Sequence, residues 1–228
     1  MTTPEEVLVV GSASESQENL ELPVSPVRPA WATILKRAID VVCACLGMLA
    51  LAPLLALVAV FIKLQDGGPV FHRRRVVGPQ GSFDAFKFRS MRPDADEILR
   101  ADRNLQEQFQ KNFKIENDHR ITPLGGLLRK YSLDELPQLW NVLLGQMSLV
   151  GPRMITAAEL QKYGDYQPIL LSVQPGLTGY WQVNGRQGID YARRVQMDIY
   201  YIENWTLMFD LRILLQTPRA VWKATGAL

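Results

Sequence analysis

Two adjacent carboxylates, Asp134 and Glu135, lie in the stretch RKYSLDELPQLWNVLLGQMSLVGPR, which opens on Arg129 and closes on Arg153. Neighbouring acids between guanidinium groups suit magnesium-assisted chemistry on a phosphate. Arginine binds phosphate oxygens in a two-pronged geometry, and carboxylates hold a hard cation that bridges to them. A plainer reading competes, and spacing by itself favours it. Ser132-x-x-Glu135 matches a capping box, in which acids of the first turn are stabilised by the helix dipole. Pro137 fits that frame poorly, because with Ser132 as cap it falls at the fifth helical position. A helix starting at Asp134 brings the proline into the first turn, where it is tolerated. Either start puts both carboxylates at a helix N-terminus and predicts that both stay ionised near neutral pH. An ionised aspartate is what a carboxylate nucleophile must be.

The elements that must position these groups begin with an apolar run. Val41–Ile62 supplies 22 residues without a charged side chain, enough for the ~20 that a spanning helix needs. Pro53 lies at its centre and favours a bend. Basic residues flank both ends (Arg28, Lys36 and Arg37; Lys63 and Arg73–Arg75), so charge asymmetry gives no orientation. A re-entrant hairpin bent at Pro53 and a kinked spanning helix both fit, with a buried core helix third. Gly67–Arg92 then reads as a β-hairpin turning at Gly78-Pro79-Gln80-Gly81. Lys87 and Arg89 share one face of its second strand, which either faces phosphate or simply meets solvent. Asp94–Phe113 reads as one amphipathic helix. Thr122-Pro123 starts another, which carries Arg129 and ends near Tyr131. Downstream, turns at Pro175-Gly176 and Asn184-Gly185 frame a short strand over Tyr180–Val183. Asp198–Asn204 and Trp205–Trp222 read as helices, the last either interfacial or core.

Composition narrows the class. The chain has 228 residues, is 47% hydrophobic and carries a net charge of +2. Residues 1–30 hold five glutamates against Arg28, which leaves +6 on the rest. A mildly basic body suits an anionic membrane or phosphorylated substrates, or is ordinary solubility charge. Residues 1–30, rich in Ser, Glu and Pro, are expected to be disordered, and no secretory leader is expected. Cys43 and Cys45 are the only cysteines, and at that spacing they cannot pair, so a reducing cytosolic side is indicated. His72 and His119 are the only histidines, which disfavours a zinc site or a Ser-His-Asp triad. No glycine-rich nucleotide loop is present, and no nucleic-acid partner is expected.

KRAID before the run, DGGPVF after it and KFRSM at Lys87–Met91 form the first group of motifs. SLDELPQLWNVLLGQMSLVGPR at Ser132–Arg153, PGLTGYWQVNGR at Pro175–Arg186 and DIYYIENWTLMFDLRILLQT at Asp198–Thr217 complete the series. Together they resemble the bacterial sugar transferase family, the monotopic polyprenyl-phosphate phosphoglycosyl transferases, and most of all its short ExoY-like members. The resemblance runs from about Leu35 to the C-terminus. It implies transfer of a sugar-1-phosphate from a UDP-sugar to undecaprenyl phosphate with release of UMP, Mg2+ as cofactor, and a re-entrant membrane helix. It implies Asp134 as nucleophile, Glu135 as its acidic partner, and both at the metal. It implies phosphate binding by Arg129 and Arg153, with Lys87, Arg89, Gln182, Arg186 and Asp198 around the pocket. The expected fold is α+β and mainly helical, with a disordered segment 1–30, a membrane-embedded re-entrant helix 31–66 and a catalytic domain 67–228. That domain would lie on the lipid bilayer at the cytoplasmic face of the plasma membrane, as a monomer or a homodimer.

Two positions depart from the family pattern. Met154 follows Arg153 where proline is usual, which loosens the local backbone. Ala52-Pro53 replaces Ser-Pro, which removes a hydroxyl able to satisfy a freed carbonyl and predicts a shallower bend. Two rivals remain open: a non-catalytic membrane adaptor, and a soluble transferase that buries the apolar helix.

Overall fold

The computed structural model describes residues 28–113, 115, 117–185 and 189–223. The disorder expected for residues 1–30 therefore lies outside the described residues up to residue 27. Helix α1 (Ala30–Asp66) runs 37 residues and ends where Gly67 turns left-handed at φ 71°. At 1.5 Å per residue it is ~55 Å long. The helix continues unbroken through Pro53, so the apolar run is not split into the two separate arms of a hairpin. Proline removes one rung of the ladder, and the alanines and leucines around it are strong helix formers.

The buried positions of α1 (Ala32, Asp40, Ala44, Val58 and Ile62) recur at whole-turn spacings, which is one stripe of the helix. Ala44 and Met48 pack into the larger core, while Leu54, Leu55, Val58 and Ile62 form a second cluster with Phe88 and Leu128. Both halves of α1 thus dock on the same protein body. Its other face is bare, with Leu49 and Leu64 77% and 76% exposed.

Strands β1 (Phe71–Gly78) and β2 (Gly81–Phe88) form the expected hairpin, in register from Phe71↔Phe88 to Gly78↔Gly81. Phe83 and Ala85 point inward, and the two-residue period puts Lys87 on that same face. Arg89 lies beyond the end of β2 and does not share that orientation. The single helix expected over Asp94–Phe113 is two: α2 (Ala95–Ala101) and α3 (Arg103–Asn112). Asp102 breaks them apart, because its side chain accepts from the Asn104 and Leu105 N–H groups as an N-cap, a bond that competes with helix continuation. Helix α4 (Pro123–Lys130) is capped by Thr122 as expected.

A tight 3-10 turn (Leu133–Gln138) leads into α5 (Leu139–Leu143), and β3 (Ser148–Val150) follows. Two short helices, α6 (Ala157–Leu160) and α7 (Gln167–Leu170), precede β4 (Gly176–Thr178), which pairs parallel with β3. The strand expected over Tyr180–Val183 is instead part of helix α8 (Tyr180–Gly185). Pairing with β3 ends at Thr178, and the Gln182 and Val183 N–H groups turn back onto the Gly179 carbonyl. Helices α9 (Tyr191–Glu203) and α10 (Leu207–Trp222) close the fold. Backbone lies on backbone where the two glycine motifs meet. A Cβ on Gly176 would sit 2.1 Å from the Gly151 nitrogen, and one on Gly151 would sit 2.6 Å from the Gln174 carbonyl oxygen. The motifs around Arg153 and around Trp181 are therefore held together at their roots.

Candidate active site

Asp134 and Glu135 stand on the 3-10 turn between α4 and α5. The expected capping box is not formed. Ser132 has a left-handed backbone, φ 54°, with no capping hydrogen bond from its side chain. The Glu135 carboxylate does not reach back but faces cations: Lys87 Nζ donates at 2.6 Å and an Arg153 guanidinium N–H at 3.2 Å. Lys87 reaches it because Asn141, buried in α5, clips β2 in place. Its Oδ1 accepts from the Phe86 N–H at 3.0 Å and its Nδ2 donates to the Asp84 carbonyl at 2.8 Å. Arg129 arrives from α4, its Nε donating to Ser90 Oγ at 2.8 Å, and its charge acts on Asp134.

The two carboxylates differ in sign. Burial and the neighbouring Glu135 charge push Asp134 up from the ordinary aspartate range, against the pull of Lys87, Arg129 and Arg153. Glu135 is just as enclosed, yet the charges and hydrogen bonds of Lys87 and Arg153 hold it well below the usual carboxylate range. The helix terminus alone would lower both values, whereas burial and ion pairing shift the two acids in opposite directions. Desolvation outweighs the backbone dipole at Asp134, whereas direct ion pairing wins at Glu135.

Side-chain hydrogen bonds among the described residues reach Glu135, and the Asp134 oxygens remain available to a cation. No cluster of three or more acidic, His or Cys ligands occurs among the described residues. Two carboxylates on one turn fit magnesium, which is commonly held by one or two carboxylates with substrate phosphates completing its shell.

The remaining site candidates separate. Arg89 turns away from the pair to Asp66 and the Ile62 carbonyl at the end of α1, so it holds that helix rather than facing the carboxylates. Gln182 is 8% exposed and donates to the Leu177 carbonyl. Arg186 lies outside the described residues. Asp198 has no exposed surface and accepts from the Tyr163 hydroxyl at 2.8 Å. Burial pushes its pKa up to about 6. Arg194 Nε lies 3.9 Å from Asp198, and the Arg194 guanidinium packs 5.2 Å from the Trp181 ring centroid. The same ring carries Arg153 at 5.7 Å. Asp198 thus backs Arg194, which backs Trp181, which backs Arg153. Sequence reasoning missed Ser90, Asn141, Trp181 and Arg194; the first three stand inside motifs it singled out.

A long apolar helix with one bare face docks on a body that pairs two enclosed carboxylates with basic side chains. The profile of the bacterial sugar transferase family matches residues 31–224, and the chain belongs to that family. It is 44% identical over 199 residues to the undecaprenyl-phosphate galactose phosphotransferase of Salmonella typhimurium, covering 85% of this chain and 41% of that one. It is 42% identical to the exopolysaccharide production protein ExoY of Rhizobium meliloti, covering 84% of this chain and 87% of that one. It is 40% identical to the undecaprenyl-phosphate glucose phosphotransferase of Komagataeibacter xylinus, covering 82% of this chain and 36% of that one. The chain therefore spans less than half the length of the two phosphotransferases and most of the ExoY protein.

Proposed function

We propose that this protein moves a sugar-1-phosphate from a UDP-sugar to undecaprenyl phosphate and so starts the assembly of an exopolysaccharide. The relatives' names supply the acceptor and the pathway. The observation that carries the chemistry is the pair on the 3-10 turn, with Glu135 paired to Lys87 and Arg153 and Asp134 without such bonds among the described residues. In the first half-reaction an Asp134 oxygen attacks the sugar-bearing phosphorus, and the anhydride bond to UMP breaks. In the second, an oxygen of undecaprenyl phosphate attacks that same phosphorus and returns Asp134 as a carboxylate. One P–O bond forms and one breaks in each step, and no proton is required. The two anionic substrates never have to react with each other directly, because UMP leaves before the lipid phosphate attacks. Arg129, Arg153 and Lys87 offset charge growing on the phosphoryl oxygens. Asp134 and Glu135 would hold magnesium, which when bound would supply further positive charge there and favour the ionised Asp134.

The bare leucine face of α1 suits acyl chains, since so large an apolar patch is unfavourable in water. The exposed side chains Met208, Leu211, Leu215 and Trp222 of α10 suit the headgroup region. Docking of both halves of α1 on one body favours a monotopic arrangement, and the family resemblance implies the cytoplasmic face of the plasma membrane. Asp134→Asn should abolish UMP release from a UDP-sugar in the presence of undecaprenyl phosphate and Mg2+. Labelled donor without acceptor should leave label on Asp134. Full turnover by the variant would remove Asp134 from the reaction.

A further inference from the structure

Lys36, Arg37 and Asp40 precede the uncharged stretch of α1, where basic residues are ordinarily headgroup contacts. All three instead grip the backbone that joins the carboxylate turn to Arg153. Arg37 donates to the Val142 and Leu143 carbonyls at 2.6 and 2.9 Å. These lie at the C-terminal end of α5, where carbonyls lack intrahelical partners and a cation is favoured. Asp40, 5% exposed, accepts from the Leu149 N–H at 3.0 Å. Lys36 donates to the Val150 carbonyl at 3.0 Å and to Asp210 at 2.6 Å. The Tyr201 hydroxyl lies 3.1 Å from that same carbonyl and 2.7 Å from Asp210, which also accepts from Trp205 Nε1 at 3.0 Å. Strand β3 has β4 on one edge, and the α1 side chains satisfy polar groups that this pairing leaves over.

We propose that Lys36, Arg37 and Asp40 are positioning residues for the active site. Through the backbone of residues 142–150 they fix the distance between the carboxylate turn and Arg153. The membrane helix is then a working part of the site as well as its anchor. Between them, the three residues fasten α5 just after Asp134 and Glu135, and β3 just before Arg153. The kinetic side of this inference rests on the function proposed above; the mechanical side does not.

The test uses the full chain in lipid nanodiscs. Asp40→Leu removes the acceptor for Leu149, and Asp40→Asn keeps an oxygen that can accept. Hydrogen–deuterium exchange should rise at least about tenfold in Asp40→Leu across residues 133–153, carboxylate turn included, and stay near wild type in Asp40→Asn. A rise confined to α1 and β3 would overturn the proposal. In kinetics, Asp40→Leu should lower kcat roughly 10–100-fold with little change in KM, as expected for a misplaced catalytic group. The same substitution in an Arg153→Ala background should cost less than about threefold, because coupled residues do not add. Equal losses in both backgrounds would mean that Asp40 only supports the fold. Spread of exchange in a protein whose wild type turns over no UDP-sugar would count against the function and uphold the positioning.

Discussion

Asp134 and Glu135 are adjacent in sequence, yet they should affect stability in opposite ways. Asp134 has its pKa raised on folding, so the stability it contributes is complete below the ordinary aspartate value. That contribution is lost as pH rises through the raised one. Glu135 has its pKa depressed, so its contribution is present above the ordinary glutamate value and is lost as pH falls toward the depressed one. At pH 8, Asp134→Asn should therefore melt above wild type, by roughly 2–4 °C for each kcal/mol recovered. Glu135→Gln should melt below it, having lost about 1–3 kcal/mol of stability, as Lys87 and Arg153 lose a charged acceptor. Thermal melts at pH 8 and pH 4 check both signs, and the gain from Asp134→Asn should shrink at the lower pH. The grouping of the acids with Arg153 and Lys87 was legible from residue type and motif. Their opposite pKa shifts were not, because these depend on burial and on which cations the fold brings to each oxygen. Arg89 shows the same limit: one residue past the end of β2, strand alternation no longer fixes where a side chain points.

At the scale of elements, the hairpin and the start of α4 could be read directly, because a Gly-Pro-Gln-Gly turn and a Thr-Pro cap are local signals. The β3–β4 pair could not. Each strand is three residues long, and their partnership depends on two glycines far apart in sequence that allow the backbones to touch. Asn141 belongs to this less legible layer, since nothing in its neighbours reveals that it clips β2. Asn141→Leu would leave the Phe86 N–H and Asp84 carbonyl without their side-chain partner. It should cost about 2–4 kcal/mol, from an unmade bond to each of two enclosed groups. It should also lower kcat more than it raises KM, because Lys87 rides on the strand that is released. Denaturant melts paired with steady-state kinetics would separate the two effects. A stability loss with unchanged kcat would show that Lys87 keeps its place without the clip.

For the molecule as a whole, the open question is how a helix of 37 residues relates to the bilayer. Length and hydropathy are satisfied equally by spanning and by lying within one leaflet, so the sequence could not choose. Docking supplies the missing constraint. Lys36, Arg37 and Asp40 hold the first turns of α1 to α5 and β3, while Ile62 and Asp66 meet Arg89 beyond β2. A helix crossing the membrane would carry one of these ends to the opposite side and strand its charged side chains away from their partners. Breaking a buried ion pair in that way costs about 3–5 kcal/mol, before the lost packing is counted. Both ends of α1 should therefore lie on one side. Trp31 and Gln65 are exposed at the two ends and can report this. Cys43 and Cys45, both exposed on the helix, would first be replaced by alanine. Single cysteines at Trp31 or Gln65 should then both resist a membrane-impermeant maleimide in intact cells, and both react in inverted vesicles. Reaction of one and protection of the other in intact cells would establish a spanning helix and require the docked ends to separate.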